Sequence, residues 1–255
     1  MQFGDTPRIG SVSYLNTAPL TRGLEAEVVF ATPARLAALL QRDELDAALV
    51  SIVEVLFHDR YDVLDGVAIA SRGEVKSVLL AHRRPLAEIR EVFCDPASLT
   101  SVSLLQVLLG ERGLWPEFRP LGGYADAAGH EAVLLIGDPA LDFLFAGHPH
   151  QIWDLGAAWQ ELTGLPFVYA AWALRRGAAP AALRRRLRAA KVLGLRELDA
   201  VVRERTEYDL AFRKSYLGGN IRYDLGPEEK RGIAKFVELL RRHQAEPVFE
   251  PRFIA

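Results

Sequence analysis

Cysteine is nearly absent from this sequence, and that scarcity excludes several kinds of protein at once. With Cys94 alone, no intrachain disulfide can form and no cysteine cluster can hold zinc or an iron–sulfur centre. The chain suits a reducing compartment. Long apolar runs are missing too: stretches such as Ala132-Val133-Leu134-Leu135-Ile136 are far too short to span a bilayer. Nor is there an excess of charge of either sign. The 31 basic and 33 acidic residues leave a net −2, which offers no field to draw nucleic acid or an anionic membrane, so an anionic ligand must be held by local groups. The opening residues, Met1 to Arg8, lack the basic region and apolar run of a signal peptide, and the expectation is a cytoplasmic protein.

Several chemical signatures are also lacking. No Gly-x-Ser-x-Gly elbow, Gly-rich phosphate loop or dinucleotide fingerprint is present. Cys94 sits in an apolar strand pattern, where a thiol is inert rather than activated. His148-Pro149-His150 brings two imidazoles together in a loop without an obvious third ligand. With His58 and His82 read as isolated surface or structural groups, no metal is expected.

What is there is an alternation of strand and helix patterns in 255 residues, half of them hydrophobic, enough for one large domain or two small cores. Ile9 to Ser13 and Glu27 to Ala31 read as short strands. Thr32 is placed to cap a helix that starts at Pro33 and turns Leu36, Leu39 and Leu40 to one face. Asp46 to Val50 reads as a buried strand. A second cycle follows, with strands at Glu91 to Cys94, Val133 to Ile136 and Gln151 to Leu155, and a helix from Thr100 to Glu111. This alternation argues for parallel sheets covered on both faces. Two longer strand patterns, Lys76 to His82 and Phe167 to Leu174, are placed to cross between lobes. The expected division is a discontinuous first lobe of residues 1–80 and 175–255 and an inserted second lobe of residues 81–174. Pro180 to Arg205 and Pro227 to Gln244 read as helical; Leu183, Leu187, Ala190 and Gly194 share a packing face, and Arg184-Arg185-Arg186 is a solvated one.

In such a scaffold ligands bind beyond the carboxyl ends of strands, where helix N-termini present unpaired N–H groups. Three segments fall at these places: Ser13 to Pro19, Asp95 to Ser101, and Ile136-Gly137-Asp138-Pro139. Each also reads as ordinary helix capping, since Ser, Thr, Asn and Asp are the preferred caps. Three together, on opposite lobes, favour a cleft that binds a small anion.

Ile9-Gly10-Ser11-Val12-Ser13-Tyr14-Leu15-Asn16-Thr17-Ala18-Pro19-Leu20 resembles the opening of the menaquinone-biosynthesis chorismate dehydratases. The resemblance continues through Leu45 to Val50, Gly73 to Leu80, Ser98-Leu99-Thr100-Ser101, Ile136 to Leu141, Asp154-Leu155-Gly156 with Trp159, and Thr163 to Phe167. One departure is Leu99, where the family often carries a basic or polar residue. The resemblance implies a type II periplasmic-binding-protein-like fold with the ligand between two lobes. It implies a hydro-lyase that removes water from chorismate, a dicarboxylate, to give 3-[(1-carboxyvinyl)oxy]benzoate on the futalosine route to menaquinone, with no cofactor and no obligatory protein partner.

A proton must leave chorismate before or with the ring hydroxyl, so stabilising an enolate-like charge on the ring carboxylate is the main demand. Asn16 is the expected catalytic residue. Ser13, Ser77, Ser98, Thr100, Ser101, Gly137 and Asp138 are the expected substrate contacts, with helix N-terminal amides around Thr100 and Ser101 first choice for one carboxylate. Apart from Glu74, the motifs offer no evident base; Asp138, at a helix start, reads as a cap with a low pKa. The expected proton acceptor is therefore the substrate's own enolpyruvyl carboxylate. Two other readings keep the scaffold: a non-enzymatic receptor or sensor lobe, and the sister 1,4-dihydroxy-6-naphthoate synthase, against which the Ser13 to Pro19 opening argues.

Overall fold

The computed structural model describes residues 7–95 and 99–255. The chain opens with β1 (Ile9–Ser11), a 3-10 turn (Leu15–Thr17), α1 (Ala18–Thr21), β2 (Val28–Phe30), α2 (Pro33–Gln41), β3 (Ala47–Ser51), α3 (Ile52–Phe57) and β4 (Tyr61–Ser71). Helix α2 begins where its sequence says it should. Thr32 is extended, its hydroxyl accepts from the Arg35 N–H, and Pro33 follows at the first helical position. Leu36, Leu39 and Leu40 are the buried residues of that helix.

The middle of the chain supplies β5 (Val78–His82), β6 (Glu91–Cys94), α4 (Leu99–Gly110), β7 (Glu117–Pro120), β8 (Ala132–Ile136), α5 (Gly137–Phe145), β9 (Gln151–Asp154) and α6 (Leu155–Thr163). Then come β10 (Phe167–Arg175), α7 (Ala181–Arg196), α8 (Leu198–Glu204), α9 (Leu210–Ser215), a π-helical turn (Tyr216–Asn220), α10 (Pro227–His243) and β11 (Arg252–Ile254). Two sheets result, one for each lobe, in the orders β11-β4-β10-β3-β1-β2 and β7-β6-β8-β5-β9.

Neither sheet is wholly parallel, contrary to the expectation from strand–helix alternation. β1 pairs parallel with β2 and β3, and β6 with β7 and β8. The exceptions are the crossing strands: β10 runs antiparallel to β3 and β4, and β5 antiparallel to β8 and β9. A strand that arrives from the other lobe has no helical crossover to force it parallel. Sheet membership also corrects the expected lobe borders. β10 lies in the first sheet, not with residues 81–174, and a border at residue 80 would cut through β5, which belongs entirely to the second sheet.

β4, with 11 residues, has no counterpart in the sequence reading. Asp65-Gly66 reads as a turn, and Gly66 does adopt φ +82. The strand absorbs this as a bulge: its pairing with β10 jumps from Ala171↔Ala68 to Ala173↔Val63 and then continues. Of the aromatics assigned to the core, Trp159, Phe167 and Trp172 are buried. Trp153 is only partly so, with Arg112 over its ring.

The link from the first lobe to the second is fixed by one carboxylate. Asp154 accepts from the N–H groups of Gly156 (2.9 Å) and Ala157 (3.0 Å), capping α6, and from those of Val75 (3.1 Å) and Lys76 (2.7 Å) in the crossover. Burial raises its pKa and the backbone N–H groups oppose that shift. Lys76 adopts a left-handed φ of +62 to keep its N–H on the carboxylate. Where α6 meets the end of β4 there is no room for a side chain: a Cβ on Gly156 would lie 2.5 Å from the Gly73 carbonyl oxygen and 2.6 Å from the Tyr169 hydroxyl. Gly156→Ala is therefore expected to destabilise the protein by about 1–3 kcal/mol, read as a lower urea midpoint at unchanged slope.

Candidate functional site

The carboxyl ends of strands from both sheets converge on a cavity of about 90 Å³. The first lobe contributes Val12, Tyr14, Asn16 and Thr17 after β1, and Leu49 to Ser51 at the end of β3. The crossover contributes Val75, Ser77 and Val78; the second lobe contributes Leu99 to Ser101 at the start of α4 and Ile136-Gly137 at the start of α5. Ile69 and Tyr169 close the wall. Among the described residues lining it there is no Asp, Glu, Lys, Arg or His. Charge on a ligand must then be met by hydroxyls, amides and helix-terminal N–H groups.

Most of the polar groups are already committed. The Thr17 hydroxyl bonds to the carbonyls of Val12 and Tyr14, both at 2.8 Å, and so fixes the turn that carries Asn16. The hydroxyls of Ser51 and Thr100 touch, and Thr100 Oγ1 accepts from the Val53 N–H at 3.2 Å. Thr100 thus caps α3 from the other lobe, while Ser51, at the capping position, makes no cap bond itself. Gly137 donates its N–H to the Ser77 carbonyl at 2.8 Å. Tyr169 shares a hydrogen bond with the Ser71 hydroxyl at 2.9 Å. One atom stands apart. Asn16 Oδ1, on a side chain buried to nine-tenths, has no hydrogen-bond partner. A buried orphan acceptor is unfavourable unless something supplies a donor.

Asn16, Ser77, Thr100, Ser101 and Gly137 all line this cavity. Ser98 lies outside the described residues. Ser13 and Asp138 do not line the cavity. Ser13 is exposed and belongs to a separate groove with Arg22 and Arg205. Asp138 turns back across the cleft instead of capping its own helix, and its Oδ1 accepts from the Leu15 N–H at 3.0 Å. Burial pushes its pKa up to about 6 against that bond, the reverse of the low value expected for a cap. Glu74 is exposed and pairs with Lys76.

The sequence reading missed Tyr14 and Tyr169. Tyr14 packs on Gly137, whose φ is +59 and whose Cβ, if present, would lie 2.7 Å from the Tyr14 ring. Burial, with Asp95 and Asp138 nearby, pushes the Tyr14 phenol up to about 12. Tyr169 is hidden in the sequence because its strand is apolar throughout. Cys94 is buried, with its thiol pushed up to about 12. His150 is bonded through Nε2 to the His130 carbonyl. Among the described residues, no group of three or more His, Cys, Asp or Glu side chains could hold a metal ion, and no helix is long and apolar enough to cross a membrane.

A family model described as menaquinone biosynthesis matches residues 7–242. The chain belongs to this menaquinone-biosynthesis family. Within the family's curated relatives, it is 35% identical to the chorismate dehydratase of Thermus thermophilus, over 95% of this chain and 98% of that protein. It is 31% identical to the chorismate dehydratase of Campylobacter jejuni over 62% of this chain and 58% of that one. Solved structures share the family member's fold at much lower identity. A protein from Archaeoglobus fulgidus superposes with a TM-score of 0.74 at 14% identity, covering 92% of this chain and 96% of that one. The alkanesulfonate-binding protein SsuA from Xanthomonas axonopodis pv. citri, bound to MOPS, gives 0.70 at 13% identity, covering 97% of each. The fold is periplasmic-binding-protein-like, as the resemblance implies.

The Asp138 geometry has a measurable consequence. Its folded-state pKa lies above the ordinary carboxylate value, so between about pH 4 and 6 the folded state binds more protons than the unfolded one and stability falls as pH rises through that window. Asp138→Asn is expected to remove this decline, checked by urea unfolding at pH 4.5 and pH 7.

Proposed function

We propose that this protein is a chorismate dehydratase that eliminates water from chorismate to give 3-[(1-carboxyvinyl)oxy]benzoate, acting in the cytoplasm on the futalosine route to menaquinone. The observation that carries the reading is the 35% identity to a chorismate dehydratase along 98% of that relative. The cavity supports it: the walls are apolar enough for a six-membered ring, with neutral donors at the ends and one buried amide in search of a partner.

The elimination is redox-neutral. A proton leaves the ring carbon that bears the enolpyruvyl ether, and its electrons spread through the adjoining double bond to the ring carboxylate. They then return to expel hydroxide from the neighbouring carbon. The proton and hydroxide make water, and the ring becomes aromatic. The demand on the protein is to hold two carboxylates and to stabilise charge on one of them. The first turn of α4, with Thr100 and Ser101, is suited to one carboxylate; Ser77 and the Gly137-Asp138 turn flank the other. Asn16 meets the ring hydroxyl.

With no Asp, Glu, Lys, Arg or His among the described lining residues, and the Tyr14 and Tyr169 phenols raised by burial, the base we propose is the enolpyruvyl carboxylate of the substrate, held against its own ring between the lobes. A receptor or sensor role has only the fold in its favour, and fold does not set function.

Purified protein mixed with chorismate is expected to deplete the chorismate absorbance and form a product lighter by one water. An unchanged spectrum would remove the reading. Asn16→Ala should lower kcat by about 10²-fold, and Asp138→Asn should retain turnover. An inactive Asp138→Asn that still binds chorismate would replace the substrate's carboxylate with an aspartate base.

A further inference from the structure

Tyr216 lies far from every segment discussed so far in sequence, yet its hydroxyl sits behind the cavity wall. It is buried, and it donates a hydrogen bond to Ser77 Oγ at 2.7 Å. Burial raises the phenol's pKa above its ordinary value, so it stays protonated and remains a donor. One buried hydroxyl thus holds a cavity side chain of the crossover from behind.

The consequence follows from counting donors and acceptors. A phenol has one proton, and here it goes to Ser77 Oγ. The Ser77 proton is then left with only a long 3.4 Å approach to the Val75 carbonyl, so it is free to be given to an acceptor in the cavity. Ser77 is thereby set as a donor toward the cavity.

The mounting of Tyr216 suits a positioning role. It begins the π-helical turn, a wide turn common at functional sites. Its ring stacks on Phe212 at 5.5 Å and 9°. At the far end of the turn Asn220 donates to the Glu74 carbonyl at 3.0 Å. Upstream, the Tyr208 hydroxyl donates to the Asp142 carboxylate at 2.8 Å on α5. The segment is pinned to the crossover and to the second lobe, which leaves the hydroxyl of Tyr216 little freedom to turn away.

We propose that Tyr216 is a positioning residue for the dehydration, setting Ser77 as the hydrogen-bond donor to a substrate carboxylate. This rests on the dehydratase reading, and one set of assays separates the two. Wild-type protein, Tyr216→Phe, Ser77→Ala and the double variant are compared in kcat/KM for chorismate, with thermal unfolding run alongside. The expected result is a loss of about tenfold or more for each single variant, with the double variant within about twofold of the weaker single. Two groups acting through one hydrogen bond lose it only once. A purely structural role would lower the unfolding midpoint and multiply with Ser77→Ala.

Wild-type kcat/KM in Tyr216→Phe, or losses that multiply in the double variant, overturns the inference. If Tyr216→Phe does not fold, Ser77→Ala decides, because full activity without Ser77 Oγ leaves the phenol nothing to position. A wild-type protein inert toward chorismate removes the dehydratase reading itself.

Discussion

The site depends first on how Asp154 holds the path between the lobes. Its carboxylate gathers four backbone N–H groups from two places distant in sequence, the crossover at Val75 and Lys76 and the start of α6 at Gly156 and Ala157. Four such donors oppose the desolvation of a buried charge, although burial still leaves its pKa raised. Because Lys76 is held left-handed by this arrangement, the next residue, Ser77, enters the cavity wall in one orientation. The polar layout of the cleft is thus inherited from a carboxylate that does not line it.

A second feature is the absence of Asp, Glu, Lys, Arg and His side chains among the described lining residues. A dianionic ligand in such a place is stabilised by dipoles and hydroxyls that are already oriented, rather than by counter-charges that would have to be desolvated first. Burial raises the Tyr14 phenol, and Asp95 and Asp138, just outside the cavity, add to that shift and keep the ring neutral against Gly137.

Much of this was legible in the sequence, for reasons that differ by element. Helix α2 could be read from Thr32-Pro33 and three leucines because its cap and packing face are local. Asn16, Thr100, Ser101 and Gly137 are candidates because strand-to-helix junctions are where α/β sheets bind ligands, whereas Ser77, in the crossover, is a candidate through the family resemblance. β4 could not be read, because Asp65-Gly66 signals a turn and only pairing with β10 on one side and β11 on the other makes it a bulged strand. The antiparallel sense of β5 and β10 is a property of the inter-lobe path, which strand patterns do not encode. Ser13 and Asp138 each sit beside a cavity residue in the chain yet do not line the cavity; Asp138 instead accepts from the Leu15 N–H of the other lobe. Tyr216 is farther still from any motif; its link to Ser77 spans 139 positions.

The Thr100 hydroxyl gives the cleft a further property. It satisfies the Val53 N–H at the start of α3 although it belongs to the opposite lobe, so one atom serves both as a helix cap and as part of the seam between lobes. Parting the lobes strips α3 of its cap, at about 1 kcal/mol for a cap of this kind, unless water takes the vacated place. Secondary structure in one half of the molecule is thereby coupled to the position of the other. With the lobes in contact as they are here, the start of α3 is completed by a group from across the cleft.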